Sequence, residues 1–254
     1  MKNENTLTVT PSTCPICHRP TVYAYNVTED ADTINKGTGL FFKCSCGIIF
    51  QDKYPEGYTP DKAYHDGIAD AKEFEDRSIH THRTYINLIE ELTYGRRWLD
   101  VGYCYERPME WLRKRGWICW GIDINKDGPS DKYHIKGNFE THHFKETDEY
   151  DVIWMGHVFE HFRNPLSALK RAYALMPEDG VVVITTPDVD FIHQTSPIRF
   201  AHWKHREHYI MWNKEAIKRE AQKLGFQVIM CRSNFSERFM SWWDIHIVLQ
   251  KIYV

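Results

Sequence analysis

Two close cysteine pairs, Cys14-Pro-Ile-Cys17-His18 and Cys44-Ser-Cys46-Gly47, open a chain of 254 residues. Four thiolates at this spacing suit the tetrahedral shell of a structural zinc ribbon, two knuckles tied through one ion, with His18 as a substitute ligand. The second pair, with one intervening residue, is tighter than usual for a knuckle. A second group is His157-Val-Phe-Glu160-His161. Two imidazoles and a carboxylate could hold Zn²⁺ or a similar ion. The same order occurs in inverted zinc-protease motifs, but those need the motif within a helix. Here Asn164-Pro165 follows three residues later, and a buried apolar run precedes it. The bland alternative is that Glu160 and His161 cap a loop. Further on, Phe191-Ile-His193 through His202-Trp203-Lys204-His205-Arg206-Glu207-His208-Tyr209 is long, polar and aromatic, as a substrate-covering segment would be.

The elements that must position these groups alternate in type. Trp98-Leu-Asp100-Val-Gly102, Trp117 to Asp123, Tyr150 to Met155 and Gly180 to Thr185 are near-continuous apolar runs. Phe226 to Met230 and Ile245 to Leu249 complete the set of strands. Between them, Ala71 to Leu92 carries apolar residues at three- and four-residue spacing. Pro108 to Arg115, Pro165 to Leu175 and Lys214 to Leu224 read as helices, the last stopped by Gly225. Buried strands alternating with helices predict a doubly wound α/β domain, its mostly parallel sheet covered on both faces. Ligands of such sheets lie beyond the carboxyl ends of the strands. Asp100-Val-Gly102 is the first βα turn there, and Asp123, 23 positions on, ends the second strand, where a carboxylate can accept both hydroxyls of a ribose.

These residues resemble the class I S-adenosylmethionine-dependent methyltransferases, most closely the group holding the ubiquinone-biosynthesis O-methyltransferases and the sugar methyltransferases. The resemblance runs from about Trp98 to the C-terminus. Its anchors are Leu99 to Gly102, Gly121-Ile-Asp123, Tyr150 to His161, Asn164-Pro165 and Gly180 to Pro187. It implies a Rossmann-like sheet of seven strands. It also places Gly102, Tyr103 and Cys104 against the methionine part of the cofactor, Asp123 and Ile124 at the ribose, and Asn138 and Phe139 at the adenine. Met155 to His157 would form the floor beside the sulfonium. In the ubiquinone enzymes the positions of His157, Glu160 and His161 are associated with a divalent cation. In sugar methyltransferases a Glu-His pair precedes the last large helix, which makes His208, after Glu207, the first candidate base and His202 the second. Cysteine-bearing N-terminal modules also occur among such enzymes. One departure stands out: the family expects Asp-x-Gly-x-Gly-x-Gly, and here Cys104 and Glu106 occupy two of the glycine positions. A side chain there can crowd the ligand, which leaves a catalytically degenerate domain with a structural or binding role as the rival reading.

Bulk properties narrow the rest. A net charge of −3 supplies no polycationic field for a nucleic-acid backbone, and Arg19 and Lys43 are isolated on the cysteine module. The strand continuing Met155-Gly-His-Val158 lacks the Asn/Asp-Pro-Pro-Tyr/Phe tetrapeptide of base amino-methylation. A nucleic-acid methyltransferase is therefore the third alternative, behind a small-molecule or sugar acceptor. No apolar stretch reaches the roughly 18 residues of a membrane span, and cysteines in close pairs suit a reducing compartment, so the expectation is a cytoplasmic protein. The expected organisation is a cysteine module over 1–52, a linker over 53–70 and a catalytic domain over 71–254.

Overall fold

The computed structural model describes residues 12–21, 24–27, 39–54, 71–103, 106–124, 132–193, 207–235 and 243–252. Most of the expected linker, Cys104 and His202 lie outside them. The N-terminal segment has strands β1 (Ser12–Thr13), β2 (Pro20–Thr21), β3 (Ala24–Val27), β4 (Gly39–Lys43) and β5 (Ile48–Gln51). After helix α1 (Ala71–Leu92) come β6 (Arg97–Val101), α2 (Arg107–Arg113), β7 (Ile118–Asp123), β8 (His134–Lys136), β9 (Val152–Gly156) and α3 (Pro165–Ala174). The remainder is β10 (Val181–Pro187), β11 (Ile210–Trp212), α4 (Lys214–Lys223), β12 (Phe226–Phe235) and β13 (Trp243–Lys251).

Seven strands form one sheet in the order β12-β13-β10-β9-β6-β7-β8. Its pairings are parallel except that β13 runs antiparallel to both β10 and β12. The chain moves outward from β6 through β7 to β8, then crosses back to β9. Ligands lodge at such a reversal, and it sets the turn after β6 beside the turn after β9. The parallel strands are apolar on both faces because both are covered. Trp98, Val152, Trp154 and Val183 pack with Tyr85, Ile86 and Ile89 of α1 and with Met109 and Leu112 of α2. Leu99, Ile153, Met155 and Ile184 face Ala168 and Leu169 of α3 and Ile217 of α4. Each large side chain so buried contributes about 1.5–3 kcal/mol. The last two helices start where the sequence signals. Asn164 Oδ1 accepts from the Ser167 amide with Pro165 following, and Asn213 Oδ1 accepts from the Ala216 amide.

Two short strands escape the sequence reading. β8 is a three-residue edge strand. β11 is Ile210-Met-Trp212, which pairs antiparallel with β5 (Ile48↔Trp212, Phe50↔Ile210) and so adds a strand of the C-terminal half to the N-terminal sheet β11-β5-β4-β3. Cys14, Cys44, Cys46, Ile48 and Phe50 accordingly share one hydrophobic cluster with Phe159, Trp212 and the sheet.

His82 interrupts the apolar face of α1. Its ring stacks on Trp154 at 4.0 Å, and its Nδ1–H donates to the Ser78 carbonyl at 2.7 Å. Burial holds its pKa down at about 4. The unfolded chain therefore binds a proton that the native state refuses, and stability falls as pH drops from about 6.5 towards 4. Between pH 7 and pH 5 the His82→Phe variant is expected to lose about 2 kcal/mol less stability than the wild type, measured by urea melts at the two pH values. Equal losses in both proteins would show that His82 is not buried uncharged.

Candidate active site and metal knuckle

At the crevice edge, Gly102 turns the chain out of β6 in the left-handed conformation, φ 71°, and its amide donates to the Ile122 carbonyl at 2.8 Å. Asp123 ends β7 and is half-buried. Asp100, one turn back, is buried beneath α1 with His82 Nε2 3.9 Å away. Burial, with the charges of Asp123 and Glu106 behind it, raises its carboxyl well above the usual range. Tyr103 lies so close over Gly121 that any side chain at Gly121 would collide with its ring. Glu106, standing at a glycine position, takes hydrogen bonds from the Arg113 guanidinium of α2 and from His134 Nε2 of β8. Its charge is met locally, so a cofactor carboxylate nearby would not face an unscreened anion. Ile124 is exposed just past β7. Asn138 Oδ1 accepts from the Glu140 amide at 2.7 Å, and Phe139 is packed between Phe144 and Phe162. Met155 is buried inside the sheet.

The second half of the site lies beyond β9. His157, in the left-handed region at φ 51°, points Nε2 at Asp244 of β13 (3.4 Å) and Nδ1 at Glu160 (3.5 Å). Burial alone would lower its pKa, but Asp244, with Glu160 behind it, outweighs this and raises it to about 10, an effect that solvent on the exposed side of the ring screens in part. Glu160 is fully buried in the single turn Phe159–His161, and Thr186 Oγ1 donates to it at 2.9 Å. Its burial penalty is overturned by the hydrogen bond from His157 and by the His161 and His157 charges, which hold the carboxyl below the usual range. His208 Nε2 lies 3.9 Å from Glu160 Oε1, an ion-pair separation longer than a hydrogen bond. The His161 ring meets the His208 ring edge-on at 4.9 Å, and its Nδ1–H donates to the Glu207 carbonyl at 3.0 Å.

Sequence reading had placed His157 with Glu160 and His161, and His208 apart from them. Among the described residues the ligand atoms of Glu160, His161 and His208 lie within 4.8 Å of one another, whereas His157 is shared between Glu160 and Asp244. Asp244 carried no local signal, since it reaches His157 only through the reversed strand β13.

The cysteines also converge. The four sulfurs of Cys14, Cys17, Cys44 and Cys46 lie within 4.8 Å of one another, with Cys14–Cys46 at 3.7 Å and Cys17–Cys44 at 3.5 Å. Sulfurs about 2.3 Å from a tetrahedral Zn²⁺ are about 3.8 Å apart, so the spacing fits. The Cys17 and Cys46 amides donate to the sulfurs of Cys14 and Cys44, and His18 (φ 58°) and Gly47 (φ 97°) make the left-handed turns that close each knuckle.

A family described as a methyltransferase domain matches residues 75–230, more than half of the chain. The chain belongs to this methyltransferase family. It is accordingly an S-adenosylmethionine-dependent methyltransferase, with that family's cofactor. Solved structures agree on the fold. A chain of the Haloferax volcanii complex between the Trm112 methyltransferase activator and a protein assigned as a methyltransferase superposes with a TM-score of 0.59 at 15% identity, over 77% of this chain and 99% of that one. The Burkholderia thailandensis 1,6-didemethyltoxoflavin-N1-methyltransferase, with S-adenosylhomocysteine bound, gives 0.55 at 12% identity over 75% and 84%. The Synechocystis magnesium protoporphyrin IX methyltransferase gives 0.51 at 12% over 75% and 91%. No curated protein matches the chain. No helix among the described residues is long and apolar enough to cross a membrane.

Proposed function

We propose that this methyltransferase acts on an oxygen or carbon of a small molecule or sugar, with His208 as the general base. The carrying observation is the convergence of Glu160, His161 and His208 at the edge of the sheet where β6 and β9 end. Gly102, Tyr103 and Asp123 would hold the methionine and ribose parts of S-adenosylmethionine, with Ile124 and the Asn138 turn towards its base. The bound cofactor supplies an electrophilic methyl on a sulfonium. The chain must then hold the acceptor in line and take its proton. His208 takes that proton, and the imidazolium so formed faces the ionised Glu160 carboxylate, which Thr186 fixes in place. His157 carries its own charge to Asp244 and so does not consume Glu160 alone. The two named neighbours that act on a toxoflavin precursor and on magnesium protoporphyrin both have small-molecule acceptors, in keeping with this reading. The four thiolates of Cys14, Cys17, Cys44 and Cys46 would hold a structural zinc.

Calorimetry with S-adenosylhomocysteine tests the cofactor half. The wild type is expected to bind it, and Asp123→Ala to bind about 10–100-fold more weakly, the loss of hydrogen bonds to one charged acceptor. Absence of heat with the wild-type chain would return the fold to a non-catalytic role.

A further inference from the structure

Glu207, His208 and Tyr209 lead into β11, and the bonds to their backbone help to set the angle of the His208 ring. Among the described residues, two elements supply such bonds. The turn bearing Glu160 and His161 supplies one side: His161 Nδ1 donates to the Glu207 carbonyl, and the Tyr209 amide donates to the Glu160 carbonyl at 2.8 Å. The other side is the end of β5. The Gln51 amide donates to the Tyr209 carbonyl at 3.0 Å, and Gln51 Nε2 donates to the His208 carbonyl at 2.6 Å. The β5–β11 register ends at Phe50↔Ile210, so strand pairing alone stops short of His208. The side-chain amide of Gln51 carries the pairing one residue further. Gln51 is buried, at 3% exposure, as are Ile48, Ile49 and Phe50 before it. An amide in such a place costs more than an apolar side chain unless it is bonded, and its bond is spent on His208. Tyr54 adds to the same side: its ring meets Tyr209 edge-on, and its hydroxyl approaches the His161 carbonyl at 3.4 Å.

We infer that Gln51 is a positioning residue for His208, and that the N-terminal cysteine hairpin is through it a working part of the reactive wall. This rests on the reading of His208 as the base. Gln51 touches neither acceptor nor cofactor in this scheme; it acts on the backbone that aims the imidazole. The mechanical path is short. Gly47 accepts from the Asn213 amide and Cys46 from Arg219, so the Ile48–Trp212 end of the β5–β11 pair is anchored to the knuckle, and Gln51 bonds the chain at the other end.

The test uses the full chain with histidine labelled by ¹³C and ¹⁵N, and the His208 imidazole cross-peak identified by its loss in His208→Gln. At fixed pH, Gln51→Met, which keeps the bulk and removes the donor, is expected to shift and broaden the His208 cross-peak. The cross-peak of His82, on the other side of the sheet, and the affinity for S-adenosylhomocysteine are expected to stay unchanged. Gln51→Leu, which also lacks a donor, gives a second reading if Gln51→Met does not fold. A His208 cross-peak that superimposes on the wild type in a folded variant overturns the inference. Failure of the wild type to bind S-adenosylhomocysteine would instead sink the enzymatic reading and leave the Gln51 result standing on its own.

Discussion

His208→Gln lowers methyl transfer by about 10²–10⁴-fold, the usual contribution of a positioned base, with binding of S-adenosylhomocysteine unchanged. The measurement is transfer of labelled methyl from S-adenosylmethionine to a panel of hydroxylated small molecules and sugars, with binding of the product S-adenosylhomocysteine titrated in parallel. The size of the effect follows from the carboxylate behind the ring. Proton transfer creates a positive charge 3.9 Å from Glu160 Oε1, worth about 4 kcal/mol at an effective dielectric near 20. That is close to three powers of ten in rate. Glu160→Gln keeps the volume and the bond from Thr186 but removes this charge, so it is expected to cost about 10²–10³-fold without the loss of cofactor. Because both variants act on one unit, the double variant should be little worse than His208→Gln alone. A His208→Gln enzyme that turns over at the wild-type rate would remove the base from His208.

The parts of this site that could be read from the chain, and the parts that could not, differ in how far apart their partners lie. The strands were legible because burial on both faces makes each an unbroken apolar run, as in Val181-Val-Val-Ile184. Asp100, Gly102 and Asp123 were legible because one βαβ unit fixes their spacing within 23 positions. His208 and Glu160 were each visible by type, but their contact depends on β11, three residues paired with a strand about 160 positions earlier, a distance at which no periodicity survives. The exchange of His157 for His208 in the cluster has the same origin, since Asp244 claims His157 only through β13. Glu106 could be read as a lost glycine. That its charge is answered by Arg113 and His134 required α2 and β8 to fold around it.

Zinc removal should be felt by the whole molecule rather than by the knuckle alone. Elemental analysis is expected to find one zinc per chain, and Cys46→Ser to lower stability by more than about 4 kcal/mol, the range that loss of a metal site can reach. For a chain of this size that is about 10 °C or more in Tm. The sulfurs give the physical reason to expect an ion. The hydrogen bond from Cys46 draws Cys14 down to about 5 against the opposing effect of burial, while Cys46 itself is pushed strongly up by that same bond and by burial. Unaided, the four thiols cannot all ionise at 3.5–3.7 Å separations, whereas a dication at their centre replaces mutual repulsion with attraction. The loss would spread because Cys14, Cys44 and Cys46 are packed in the same cluster as Trp212 and the central sheet. The expected melt is therefore a single transition, moved down by chelator and restored by added zinc in the wild type but not in Cys46→Ser. Two separate transitions, with the upper one unmoved by chelator, would mean that the hairpin folds on its own and that the metal supports it alone.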